Sequence, residues 1–233
     1  MTVSEPLASP PPQRRVLVLG ATGLVGKAML LQLLADPMVS EVRALTRRTV
    51  SRGELLGRGG HPVGDERLHV CEVDFDRLDR HTALFEVDWV CCAMGTTRSK
   101  AGSKAAFRQV DFDYPLQMAR LARAQGARHL MLVSAIGANA DSRVFYNRVK
   151  GELEEALAEL DYDSVCVAQP SLLAGDRDEF RLAERLGVAL GCLLPERYKP
   201  VQASQVAAGL LSVVREERPG WHVLSNTMLR RMR

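Results

Sequence analysis

Short apolar runs alternate along the chain with longer stretches whose apolar residues recur at helical spacing, the pattern of alternating strands and helices. The first run, Val16-Leu17-Val18-Leu19, has four apolar residues in succession and reads as a strand buried on both faces. It leads straight into Gly20-x-x-Gly23-x-x-Gly26, behind which Leu24, Val25, Ala28, Met29, Leu31 and Leu33 carry a helical apolar pattern. Further strands are expected at 41–46, 68–73, 87–93, 128–133 and 162–168, with a late edge strand at 221–224. Residues 104–125 read as an amphipathic helix bent near Pro115, and Glu152 to Leu160 as a helical run. Another helix should start at Ser204, whose hydroxyl would cap it. The fold class is α/β: a doubly wound, mostly parallel sheet with helices on both faces.

The connections are read from composition. Residues 1–13 contain prolines and no helical or strand period, so they are taken as a disordered leader. Residues 50–66 are rich in Gly and Arg and read as a mobile connection with a short helical piece around Glu54 to Leu56. Residues 14–233 form a single domain, within which 176–200 mixes charges with Leu182, Leu186, Leu190 and Leu194. That segment is assigned to a small C-terminal lobe covering a substrate.

The glycine spacing gains meaning from the strand before it and the helix after it. Gly20 allows a tight turn, Gly23 lets backbone approach a pyrophosphate, and Gly26 lets the helix pack against the strand. With Thr22, Leu24 and Val25 they form a turn whose unpaired N–H groups lie at the positive end of the helix dipole. A dinucleotide site is therefore expected. An NAD site would present Asp or Glu at the end of the second strand, for the ribose 2′-hydroxyl. Here Arg47 and Arg48 stand there, and a guanidinium suits a 2′-phosphate, so NADP(H) is the expected cofactor. Asp74, at the end of the third strand, could meet an adenine amino group or cap the following helix. Gly95 and Thr96 follow the fourth strand in a second small-residue turn at the same edge of the sheet.

A second group of residues suggests chemistry. Ser134 ends the fifth strand, and Tyr146 and Lys150 are four apart in a helical segment, so they share a face. A lysine ammonium close to a phenol stabilises its phenolate and makes Tyr146 a usable proton donor or acceptor. Ser134 could hold a substrate oxygen beside it.

Composition removes other classes. A net charge of +3 with both signs interspersed and 5% aromatic residues gives little for a nucleic acid to bind. No apolar run approaches the ~18 residues of a membrane span, and the start lacks the features of a signal peptide. The five cysteines lie mainly in apolar runs without paired spacing and read as reduced core residues, consistent with a cytoplasmic protein. The five histidines show no ligand spacing, so no metal is expected.

Taken together, Gly20-Ala21-Thr22-Gly23-Leu24-Val25-Gly26, Ser134 and Tyr146-x-x-x-Lys150 resemble the atypical branch of the short-chain dehydrogenase/reductases. Gly95 to Gly102, Val110-Asp111-Phe112-Asp113-Tyr114 and Val149-Lys150-Gly151-Glu152 look like the HTATIP2/TIP30-like group of that branch. The resemblance implies a Rossmann-type sheet, NADPH binding and a Ser-Tyr-Lys constellation. It also implies that the turn at Pro170 lies along the nicotinamide. The Asn-Ala-Gly signature of ordinary members is replaced by Ala93-Met94-Gly95, and the family's fourth catalytic Asn has no clear counterpart.

Two functions follow from these residues. The first is an NADP(H)-dependent oxidoreductase acting on a small carbonyl/alcohol substrate, with Ser134, Tyr146 and Lys150 as its catalytic group. The second is an NADPH-sensing binding protein with little turnover. The partner is a small-molecule substrate in the first case; a homo-oligomer or protein partner is left open.

Overall fold

The computed structural model describes residues 13–57, 65–174 and 195–232. Its strands are β1 (Arg14–Leu19), β2 (Val39–Thr46), β3 (Leu68–Glu72), β4 (Trp89–Cys92), β5 (His129–Val133), β6 (Ser164–Gln169), β7 (Leu173–Ala174), β8 (Val201–Gln202) and β9 (Gly220–Ser225). Its α-helices are α1 (Leu24–Ala35), α2 (Arg52–Leu56), α3 (Arg98–Ala101), α4 (Lys104–Arg108), α5 (Tyr114–Ala124), α6 (Phe145–Ala158), α7 (Ala203–Arg215) and α8 (Asn226–Leu229). A kinked 3₁₀ segment (Phe75–Phe85) joins β3 to β4. Among the described residues no helix is long and apolar enough to cross a membrane.

β1 lies inside the sheet, and its side chains explain the layering. Val16 and Val18 enter one apolar cluster, Leu17 and Leu19 the other, and all four are fully buried. A strand covered on both faces needs apolar residues at every position, which is why the sequence shows a run rather than an alternation. The first cluster is closed by α1 and α7, the second by α5, α6 and the 3₁₀ segment. Trp89 and Cys91 of β4 join the first, and Val90 and Cys92 the second.

Seven strands pair in the order β3-β2-β1-β4-β5-β6-β9, every pairing parallel. From β1 the chain winds outward through β2 and β3, then returns to place β4 on the other side of β1. The winding reverses between β1 and β4, and in such sheets the crevice outside the carboxyl ends at this reversal takes the ligand. Every strand expected from the sequence is present within two residues of its expected ends, and the late strand is β9, at the edge beside β6.

Three expectations need adjustment, and a fourth falls outside the described residues. The fully buried stripe of α1 is Val25, Met29, Leu30, Leu33 and Leu34, so Leu30 and Leu34 join the expected residues, while Ala28 and Leu31 pack against the same cluster partly buried. α7 is capped by Gln202, in a reciprocal box with Gln205, and not by Ser204; Gln205 Oε1 accepts from Gln202 N at 3.1 Å. Residues 104–124 run helical without a break, as α4, a π-helical turn (Gln109–Asp113) and α5, so the irregularity expected near Pro115 is a π-turn just before it. The wide turn, closed by Tyr114 N–H on Gln109 O, leads into Pro115 in the first turn of α5, where a missing N–H costs little. The leader (1–12) and most of the substrate-covering lobe (175–194) lie outside the described residues.

α6 is pressed onto the segment that follows β5. A Cβ on Gly151 would lie 2.2 Å from Asn139 C and Ala140 N, a distance no side chain tolerates. Asn139 N–H donates to Asn147 O at 3.0 Å from the same loop. Gly151→Ala should therefore force loop and helix apart and cost about 1–3 kcal/mol, the usual penalty of overpacking. Urea unfolding of the variant checks this; an unchanged midpoint would show that the contact yields freely.

Candidate active site

The carboxyl ends of β1, β2, β4, β5 and β6 surround a cavity of about 890 Å³. Gly20 leaves β1 with φ +83°, and a Cβ there would stand 2.6 Å from Ala93 O and Met94 N. A Cβ on Gly26 would lie 2.1 Å from Gly20 O. Both positions therefore require glycine, one at the meeting of the two central strands and one where α1 crosses its own turn. Gly20, Thr22, Gly23, Leu24 and Val25 line the cavity, while Gly26 lies behind it as a packing residue. α1 begins at Gly23 with no side-chain cap and no acidic residue in its first turn, so its positive end remains open to an anion. That cradle fits the pyrophosphate of a dinucleotide.

Arg47 and Arg48 also line the cavity, beyond the end of β2. Arg48 is ion-paired with Glu54, whose carboxyl that contact holds below the usual range. Gly95 and Thr96 line the β4 side, and Pro170 the β6 side. Asn226 of α8, almost wholly buried, fastens this last turn: its Oδ1 accepts from Ser171 N at 2.9 Å and its Nδ2 donates to Lys199 O at 2.8 Å. Asp74 does not line the cavity. Its carboxylate accepts from Asp76 N at 3.0 Å, capping the 3₁₀ segment, and lies 3.8 Å from Arg77. Of the two roles open to Asp74, the cap is formed, because a helical turn starts immediately after it. The neighbouring Phe75 faces the cavity instead.

Tyr146, Lys150 and Ser134 all open on the same cavity. α6 presents the first two one turn apart, with Tyr146 partly exposed and Lys150 buried. The Tyr146 ring lies 5.7 Å from that of Phe107, on α4. Lys150 Nζ is 2.8 Å from Asp111 Oδ1, an ionic contact between two groups with almost no solvent exposure. Burial works against the Lys150 ammonium, but Asp111 and Tyr146 outweigh it and raise its pKa above the ordinary lysine value. The other carboxylate oxygen of Asp111 accepts from Thr96 N at 2.9 Å. One buried acid thus ties the β4 turn to α6, and Gly95 leaves room for it, since a Cβ there would lie 3.3 Å from Asp111 Oδ1.

Asp111 enters the sequence reading only inside the Val110 to Tyr114 resemblance, with no role given to it. Its signal is a charge on the buried face of a helical segment, in line with Phe107, Tyr114 and Met118. The π-helical turn at Gln109–Asp113 is what carries it there. Ser134 Oγ does not engage Tyr146 or Lys150; it is hydrogen-bonded to Glu154, one turn beyond Lys150. Cys91, Cys92 and Cys166 are buried core residues whose thiols burial pushes up, that of Cys92 to about 11. None of them lines the cavity.

A fully parallel doubly wound sheet with a glycine cradle at its winding reversal defines a dinucleotide-binding protein. The family model described as NAD(P)H-binding matches residues 20–217, and the chain belongs to that family. Protein HTATIP2 of Rattus norvegicus is 36% identical over 203 residues, covering 87% of this chain and 78% of the relative. The protein named FMP52, mitochondrial, of Candida albicans is 31% identical over 199 residues, 81% of this chain and 82% of that protein. Among solved structures, a UDP-N-acetylglucosamine 4-epimerase from Methanobrevibacter ruminantium M1 shares the fold with TM-score 0.69 at 14% identity, covering 92% of this chain and 77% of that one. The Bordetella bronchiseptica enzyme WbmF in complex with NAD+ does so with TM-score 0.67 at 16% identity, covering 95% and 78%.

Asp111→Asn keeps the shape of the side chain but leaves the buried Lys150 charge without a counterion. Breaking such a pair from one side costs about 3–5 kcal/mol. Because the folded-state pKa of Lys150 is raised, the stabilisation is complete below the unfolded lysine value of about 10.4 and is lost as pH rises through the folded value. The gap in unfolding free energy between wild type and Asp111→Asn should therefore be widest near neutrality and narrow at alkaline pH. A gap constant across that range would show that the cost does not arise from the ion pair.

Proposed function

We propose that this NAD(P)H-binding chain is an NADP(H)-dependent oxidoreductase acting on a small carbonyl/alcohol pair. The observation that carries this reading is the opening of Tyr146, Lys150 and Ser134 onto the same cavity as the glycine turn and the two arginines. A nicotinamide held along the Pro170 turn would supply hydride to a carbonyl carbon, or accept it from an alcohol. Tyr146 would deliver the matching proton to the carbonyl oxygen in reduction and take it back in oxidation. Lys150, held by Asp111, would contact the ribose and keep a fixed positive charge beside the phenol. Ser134 would hold the substrate oxygen.

The preference for NADP(H) rests on Arg47 and Arg48 at the position where an NAD site needs a carboxylate. Arg48 already shares its guanidinium with Glu54, so Arg47 should carry the larger part of a 2′-phosphate contact. Arg47→Ala is expected to weaken NADPH binding about tenfold or more, the worth of one charge-assisted hydrogen bond, and to leave NADH nearly unaffected. Arg48→Ala should do less. Titration of both cofactors against the three proteins measures this, and equal affinity of wild type for NADPH and NADH would refute the preference.

Tyr146→Phe removes one hydroxyl and retains the ring that packs on Phe107. It should keep NADPH affinity and lose about 10²–10⁴-fold in turnover, measured on whichever aldehyde, ketone or quinone from a panel the wild type reduces. Undiminished turnover would remove Tyr146 from the mechanism. Tight NADPH binding with no turnover of any panel member, together with cofactor-dependent partner association, would favour a sensing role.

A further inference from the structure

Behind Ser134 lies a half-buried carboxyl that the reductase reading leaves unused. Glu154 is on α6, one turn past Lys150 and two past Tyr146, yet it does not line the cavity. Ser134 Oγ is hydrogen-bonded to its Oε1. Gln169 Nε2, at the end of β6, reaches both carboxyl oxygens, at 3.1 and 3.0 Å. Ser134 is itself held by its backbone, whose N–H donates to Ala168 O at 2.8 Å. Three elements, β5, β6 and α6, thus converge on one acid that touches the cavity only through a serine hydroxyl.

The chemistry of that contact is directional. A hydroxyl has one hydrogen and two lone pairs, and an ionised carboxylate can only accept. While Glu154 is ionised, the Ser134 hydrogen is committed to it and only lone pairs face the cavity. Ser134 can then accept from a substrate alcohol, but it cannot donate to a carbonyl oxygen. Once Glu154 is protonated, the acid can donate to Ser134 Oγ and release the serine hydrogen toward a carbonyl.

Resting on the oxidoreductase reading, we propose that Glu154 is a positioning residue whose protonation reverses the hydrogen bond of Ser134, so that the ionised site favours an alcohol and the protonated site a carbonyl. Burial raises the pKa of Glu154 above the ordinary glutamate value, against the opposing pull of Ser134, Gln169 and Lys150, so the reversal is brought closer to neutral pH. Lys150, ion-paired with Asp111, is the charged group acting on Glu154 from its own helix. Ser134 and Gln169, the contacts from β5 and β6, are uncharged.

Two measurements test this. In the first, protein labelled with ¹³C at the glutamate side-chain carboxyls is titrated by NMR, with the Glu154 signal assigned from its loss in Glu154→Gln. Ser134→Ala removes a donor to the carboxylate and should raise the Glu154 midpoint; an unmoved midpoint overturns the proposal. In the second, the pH profile of kcat/KM is recorded for reduction and for oxidation of the substrate pair found in the panel. Wild type should carry a limb of about tenfold, the worth of one hydrogen bond, rising toward acid for reduction and toward base for oxidation. Glu154→Gln cannot ionise and should lose that limb in both directions while still binding NADPH. Retention of the wild-type limb in Glu154→Gln overturns the proposal even where Tyr146→Phe has abolished turnover and so upheld the reductase reading. If Tyr146→Phe turns over normally, that reading fails by itself, and the NMR titration still decides whether Ser134 and Glu154 are coupled.

Discussion

Everything at this site depends on how closely the backbones of β1 and β4 approach where the sheet reverses its winding. At Gly20 there is no room for even one carbon between the turn and Ala93–Met94, and at Gly26 none between α1 and the turn. These contacts set the tilt of α1 and hence the direction of its amides. The β4 turn is fixed by the same approach, since Ala93 N donates to Leu19 O at 2.9 Å. A phosphate cradle and a small-residue turn that are far apart in sequence thereby become two walls of one cavity.

The second constraint is electrostatic. Lys150 and Asp111 are both removed from water, and each is tolerable there only because of the other. The pair spans the cavity floor, joining the π-helical turn before α5 to the middle of α6 and, through Thr96 N–H, to the end of β4. A positive charge is consequently held in one place beside Tyr146, with little freedom to relax away from it. A charge preorganised in this way has nothing to reorient when charge develops beside it.

How much of this could be read from the sequence depended on distance along the chain. The glycine turn is compact, with each residue acting within a few positions of itself, so strand, turn and helix declared one another. Tyr146 and Lys150 are related by a single helical turn and were legible for the same reason. Asp111 was not, because helical spacing alone cannot distinguish a carboxylate buried against a lysine 39 residues away from one that faces solvent. Glu154 was hidden by the same limit, since its meaning comes from Ser134 and Gln169 on two other elements. Asp74 stood between a cap and a ligand contact, and the start of the 3₁₀ segment is what makes the cap. The helix caps failed similarly: Ser204 is a better capping residue than Gln202 by preference, yet the reciprocal bond with Gln205 placed the start of α7 earlier.

The place of β9 and α8 in the molecule bears on the order in which the site can be made. β9 adds to the edge of β6, and the Asn226 side chain beyond it holds the Pro170–Ser171 turn and Lys199 together. The glycine cradle and the Tyr146 helix belong to the first 160 residues, whereas the brace for the Pro170 turn comes from residues 220–229. On a ribosome, a nascent chain could assemble the phosphate wall well before it could secure the wall opposite. Such long-range parallel pairing forms slowly, because wide loops must close before it is rewarded. A cofactor gripping the early half would act as a template on which the late half docks.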